Sequence, residues 1–236
     1  GEILALVNQP SYNPNNRTNL DLAAVRNRAV TDIFEPGSTV KPFTVAVALA
    51  SGEYTKNSVI NTHPGFVKVG KKTIPDPVNY GELDLGGIIE KSSQVGITKL
   101  ALSLDEYDIW NMFSSVGFGE STGIGVLGES SGFLPSHRRW KDIERATFDY
   151  GYGLQVTPVQ LAASYLTIAS GGIKRPLSLV GRSAMDDQRV MSQAVAADLI
   201  KMLQRVAESG TGSKASMEAY TVAGKTGTAR KVGKAG

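Results

Sequence analysis

A hydroxyl and an amine stand three positions apart at Ser38 and Lys41, and a second lysine heads Lys225-Thr226-Gly227-Thr228 far along the chain. A helix sets residues i and i+3 on one face, so the Lys41 amine can reach the Ser38 hydroxyl. Serine becomes a competent nucleophile when a neighbouring base takes its proton. A buried lysine beside other cations can be that base, because it gives up its own proton near neutral pH. The pattern points to acyl transfer through a covalent intermediate on Ser38, with Lys41 as the favoured base. Ser-x-x-Lys alone is common by chance, so its weight depends on what accompanies it.

Three segments must place these groups. Glu35-Pro36-Gly37 reads as a turn, and the apolar run Phe43, Val45, Ala46, Val47, Ala48, Leu49, Ala50 up to Ser51-Gly52 predicts a buried helix over 38–51. Pro42 is tolerated in its first turn, where amides lack intrahelical partners. Ser38 at the helix start meets the positive end of the macrodipole, which favours negative charge on a bound carbonyl oxygen. Ser92-Ser93-Gln94 falls between an amphipathic stretch (Leu85, Ile88, Ile89) and a run through Val95, Ile97, Leu100, Leu102 and Leu104. That position predicts a helix junction from which a second hydroxyl and an amide can be aimed. Tyr220-Thr221-Val222-Ala223-Gly224 leans to β structure ahead of Lys225, and Gly227 would admit a substrate backbone lying alongside as an added strand.

The remaining pattern predicts a strand near 2–8, a helix near 20–30, and a polar, proline-bearing excursion through Lys71, Lys72, Pro75, Asp76 and Pro77. Helices are predicted at 84–91, 94–104 and 105–116. Thr157-Pro158 reads as an N-cap with proline at the first helical position, followed by the apolar face Leu161, Ala162, Tyr165, Leu166, Ala169. Ser192 opens another helix, carrying Val195, Leu199, Ile200, Leu203 and Val206 to Gly210.

With 236 residues, 41% of them hydrophobic, the chain can bury a substantial core. It has no cysteine, which excludes disulfides and a thiol nucleophile. A formal charge of +3, from 25 basic and 22 acidic residues, is too mild to argue for a nucleic-acid partner. No apolar stretch approaches the roughly 20 residues needed to span a bilayer, so the chain as given reads as soluble. His63 and His137 are isolated, which predicts no metal site. Gly224-Lys225-Thr226 resembles the end of a phosphate loop, but Ala219 stands where that loop needs glycine. The basic cluster His137-Arg138-Arg139-Trp140-Lys141 reads as a solvated loop, and Tyr150-Gly151-Tyr152-Gly153 as either a cleft wall or aromatic packing beside a tight turn.

Taken together, these segments resemble the penicillin-binding proteins, and within them the class B cell-division transpeptidases of Gram-negative bacteria, the penicillin-binding protein 3 type. The resemblance covers essentially the whole chain. It rests on Arg26-Asn27-Arg28-Ala29-Val30, on the segment from Phe34 to Pro42, on Lys91-Ser92-Ser93-Gln94-Val95-Gly96, on the segment from Tyr150 to Thr157, and on the segment from Ala223 to Lys231. It implies an α/β transpeptidase (serine β-lactamase-like) fold: an antiparallel sheet flanked by helices plus an all-helical subdomain, with the active site between them. Residues 1–236 would be one catalytic domain, shorter at both ends than the family's, lacking the later strands and closing helix, the membrane anchor and a pedestal module.

The same resemblance implies a chemistry. Ser38 attacks the carbonyl between the terminal D-alanines of a peptidoglycan stem peptide, and an amine from a neighbouring stem resolves the acyl-enzyme. Lys41 is the base and Ser92 relays a proton to the leaving amine. The backbone N–H groups of Ser38 and Thr228 form the oxyanion hole, while Lys225, Thr226, Gly227 and Thr228 hold the substrate's terminal carboxylate. Gln94 stands where the family has asparagine, and its amide would contact Lys41 and the substrate. β-Lactam antibiotics would acylate Ser38. No cofactor is implied. Divisome proteins and a septal glycosyltransferase would be partners, at the periplasmic face of the inner membrane. A D,D-carboxypeptidase, a serine β-lactamase and a non-catalytic β-lactam sensor share Ser38, Lys41 and Lys225, and stay open as readings of the residues.

Overall fold

The computed structural model describes residues 1–16, 18–181 and 186–228. Ala229, Arg230 and the 231–236 tail lie outside the described residues.

The core is built around one buried helix. A 3-10 turn over Gly37–Val40 runs directly into α3 (Lys41–Ser51), whose residues from Lys41 to Ala48 are all buried. The sequence is apolar on every face here, which suits a helix surrounded by others. Around α3 pack α4 (Leu85–Lys91), α5 (Gln94–Ser103), α6 (Glu106–Ser115) and α9 (Gln193–Glu208). Phe43 sits edge-on to Phe113, Phe118 and Tyr165, with ring centroids 5.7–6.1 Å apart. Edge-to-face geometry adds about 0.5–1.5 kcal/mol per pair beyond the buried area.

Further elements close the ends. The short helices α1 (Leu22–Val25) and α2 (Arg28–Thr31) precede α3, and α7 (Asp142–Phe148) and α8 (Pro158–Ala169) follow α6. Thr157 caps α8 as its pairing with Pro158 predicts, and the cap is a reciprocal box: Thr157 Oγ1 accepts from Gln160 N, and Gln160 Oε1 accepts from Thr157 N. The buried Gln160 amide also donates to the carbonyls of Glu120 and Ser131. Among the described residues, strands form three antiparallel pairs: β1 (Val59–Asn61) with β4 (Glu82–Asp84), β2 (Phe66–Val69) with β3 (Lys72–Pro75), and β5 (Ile173–Lys174) with β6 (Gln188–Arg189).

Four local expectations change. The strand over 2–8 is reduced to a single parallel bridge from Glu2 to Ser178. The helix over 20–30 is broken at Arg26-Asn27. There the Asn27 side chain accepts from Asn8, whose own oxygen accepts from Ala29 N. Short amides of this kind offer the backbone an alternative to the helical ladder. The polar excursion is a hairpin, its register Val69↔Lys72 closed by Gly70 at φ 57°. Residues 220–224, read as leaning to β, form no ladder with described residues, and Gly224 N–H instead donates to Leu203 O at the side of α9.

Candidate active site

The three sequence segments meet. Lys41, the first residue of α3, is fully buried and points its amine across to the corner between α4 and α5. Its Nζ donates to Ser92 O at 2.5 Å and approaches Ser92 Oγ at 3.3 Å. Lys225 Nζ reaches the same hydroxyl from the opposite side, at 2.9 Å. Ser92 is thus shared by two amines separated from it by 51 and 133 residues of chain.

Its position follows from backbone geometry. Ser92 caps α4 in the left-handed region (φ 57°, ψ 36°), an unusual conformation for a residue bearing a side chain. Here it turns the chain sharply, so that Ser93 caps α5 at once. Asp76 makes that corner rigid. Its buried carboxylate accepts from Ser93 Oγ at 2.5 Å, from Gln94 N at 2.6 Å and from Val95 N at 3.2 Å. A negative group on the first amides of a helix satisfies unpaired donors and complements the dipole. In the sequence Asp76 falls within the polar excursion, marked only as an acid between two prolines.

The Ser38 turn is braced from two sides. Gly37 N–H donates to Gly151 O at 3.2 Å, and a Cβ added at Gly151 would lie 2.1 Å from Gly37 O. Tyr150-Gly151-Tyr152-Gly153 is therefore the support behind the serine turn, and a bare backbone is required there because any side chain would collide with it. Glu35 Oε1 accepts from Gly153 N, tying the same loop down. Behind it Asp149 is wholly buried and accepts from Thr44 Oγ1 at 2.7 Å. Burial pushes its carboxyl up to about 7, against the opposing Thr44 hydrogen bond and Arg145 charge.

Opposite this support lies the third segment. A Cβ added at Gly37 would meet Thr228 O at 2.8 Å, and one at Gly227 would meet Thr39 Cγ2 at 2.7 Å and Pro36 O at 3.1 Å. Lys225-Thr226-Gly227-Thr228 therefore runs against the serine turn with backbone on backbone. Glycine permits this approach on both sides. Ser38, half-buried, lies on this seam.

Electrostatics separate the two amines. Lys41 is lowered to about 7, first by burial, then by the charge of Lys225, with Asp76 pulling the other way. Lys225 is lowered to about 8 by burial. Near neutral pH Lys41 is thus the group readily neutral, and Lys225 retains more of its charge.

Two expectations about contacts are corrected. The hydrogen bonds of the Lys41 amine go to Ser92 rather than to Ser38, because α3 carries Lys41 toward the α4–α5 corner while Ser38 stands in the preceding 3-10 turn. Gln94 makes no side-chain hydrogen bond to Lys41 among the described residues; what holds it is its backbone N–H on Asp76. Within the basic cluster Arg138 and Lys141 are exposed, while His137 packs against Tyr107 and Trp110. No group of three or more His, Cys, Asp or Glu capable of holding a metal occurs among the described residues.

The model of the penicillin-binding protein transpeptidase domain matches residues 1–236. The chain is 47% identical over 235 residues to the peptidoglycan D,D-transpeptidase FtsI of Escherichia coli K12, covering 99% of this chain and 40% of that protein. It is 40% identical over 233 residues to the probable peptidoglycan D,D-transpeptidase PenA of Neisseria gonorrhoeae, covering 98% and 40%. The curated relatives are thus spanned over about two fifths of their length. Among solved structures, the transpeptidase domain of Burkholderia pseudomallei penicillin-binding protein 3 superposes with a TM-score of 0.84 at 39% identity, covering 89% of this chain and 65% of that one. A Burkholderia ambifaria protein described as a peptidoglycan glycosyltransferase gives 0.88 at 38% identity, covering 98% and 70%. The chain has the penicillin-binding protein transpeptidase fold and belongs to the penicillin-binding protein transpeptidase family.

Proposed function

We propose that this chain is the catalytic domain of a septal peptidoglycan D,D-transpeptidase. The observation that carries the reading is the Lys41–Ser92–Lys225 set of hydrogen bonds, lying beside a serine turn packed on the Lys225–Thr228 backbone. Neutral Lys41 takes the Ser38 proton as Oγ attacks the carbonyl between the two D-alanines. The oxyanion is received by the N–H groups of Ser38 and Thr228. Collapse breaks the peptide bond; the proton passes from Lys41 through Ser92 to the departing D-alanine amine. The acyl-serine is then resolved by an amine of a second stem peptide, and the same groups carry its proton in the reverse direction. Lys225, Thr226 and Thr228 grip the terminal carboxylate, with Gly227 allowing the close approach.

A β-lactam presents the same carbonyl and carboxylate in a strained ring, so it would leave a stable adduct on Ser38. Incubation with fluorescent penicillin tests the reading: stable labelling of the parent and none of a folded Ser38→Ala variant is the expected result. Labelling that persists in Ser38→Ala removes the nucleophile assignment, and rapid turnover of label favours a hydrolase. By the same family reading, the whole protein works at the periplasmic face of the inner membrane with divisome proteins and a septal glycosyltransferase. No helix among the described residues is long and apolar enough to cross a membrane.

A further inference from the structure

We infer that Thr211 is a positioning residue for substrate recognition, acting by fixing the direction of the Thr226 hydroxyl. The inference rests on the reading of Lys225–Thr228 as the carboxylate grip. Thr211 Oγ1 lies 2.7 Å from Thr226 Oγ1, and Lys225 Nζ approaches that same Thr226 oxygen at 3.3 Å. A hydroxyl has one proton to donate and two lone pairs to accept with, whereas an ammonium only donates. Once a carboxylate binds outside Thr226, the arrangement that satisfies every group has Lys225 and Thr211 both donating to Thr226. Its single proton is then left for the carboxylate. Hydroxyls in such a chain polarise one another, so each bond strengthens the next.

The loop carrying Thr211 is built to hold that hydroxyl still. Thr211 N–H donates to Glu90 O at 3.3 Å, and a Cβ added at Gly210 would lie 2.7 Å from the same oxygen, so the loop is pressed onto the last turn of α4. Glu90 is buried and anchored from α9 by Arg205, with Nε on Oε2 at 2.9 Å, and by Ser209 Oγ on Oε1 at 3.3 Å. Arg205 also reaches Asp84 at the start of α4. Glu90 stands two residues before Ser92. The Arg205–Glu90–Thr211 connection thus sets the third segment in register with the corner that carries the shared serine.

The test is acylation of the full-length protein by two thioester donors of acyl-D-alanine, one ending in a free carboxylate and one in the matching carboxamide. Thr211→Val removes the hydroxyl and keeps the shape, and its exposed position makes it a mild change to the fold. The second-order rate constant with the carboxylate donor should fall about five- to tenfold, with little change for the carboxamide. Thr211→Ser should recover the parent rate within about twofold, and Thr211→Val should cost nothing further once Thr226→Val is present. Equal losses on both donors, or no loss on either, overturn the assignment while leaving the acyl-serine reading standing. A parent that forms no Ser38 adduct overturns both.

Discussion

The two lysines of the site belong to differently built regions. Lys41 lies in the core, at the head of a helix surrounded by four others, with its amine fixed on the Ser92 corner. Lys225 is also drawn out of water, yet the residues after it are exposed, follow no regular element, and are held by a few contacts to Thr39, Pro36 and Thr211, with Gly224 before it tied to Leu203. The first region is stabilised by packing that the whole fold shares, so the amine proposed as the base is held in place by the fold itself. The second is stabilised locally by polar contacts, so it can be altered without unfolding the domain. On the proposed mechanism, preorganised proton transfer and an adaptable substrate grip are thereby carried by separate parts.

Changes at Lys41 probe the core side and should have the largest effect. Lys41→Met fills the same buried space without a base, and penicillin acylation should fall about 10²- to 10⁴-fold with the thermal midpoint kept or raised. A loss under about tenfold would shift the base assignment elsewhere. On the grip side, Lys225→Met removes one hydrogen bond to Ser92 and one positive charge. Acylation at pH 7 should drop about tenfold or more.

The pH profile sharpens the contrast. Acylation should rise as Lys41 loses its proton through about 7 and decline as Lys225 does so through about 8, giving a narrow bell. Removing the Lys225 charge makes a protonated Lys41 easier to hold, so its acid limb should move to higher pH. Asp76→Asn removes the negative charge that favours protonated Lys41, so the same limb should move to lower pH. It should also cost about 1 kcal/mol of stability by weakening the α5 cap. Limbs that stay fixed in both variants would detach Lys41 from the profile. The smallest effect is expected of Gln94→Asn: acylation rates kept or raised, since the residue is held by its backbone. A collapse beyond about tenfold in stopped-flow acylation would reveal a specific duty for the longer amide.

Legibility differed across the chain for physical reasons. The α3, α4, α5, α6, α8 and α9 helices are readable because an apolar run agrees with a cap residue or a glycine stop in each segment, as at Thr157-Pro158 and Ser192. The 20–30 stretch was misread because its break depends on Asn8, a distant residue. The hairpin over 66–75 carries little signal because its strands are four residues long, too short for alternation to stand out. Asp76 and Thr211 escaped notice because an isolated acid or hydroxyl has no pattern of its own; each matters only through what folding brings beside it.

Residue type and order alone determined the chemical inventory: one serine–lysine pair on a helix start, a second serine at a helix junction, a lysine–threonine–glycine segment, and no thiol. These are properties of local sequence, and local sequence suffices to specify them. Only the tertiary structure decided that both amines converge on Ser92, that Lys41 is dry enough to be neutral near pH 7, and that Gly151 and Thr228 close on the two sides of the serine turn. Desolvation and backbone contact are set by everything packed around a group, and the partners here come from all parts of the chain.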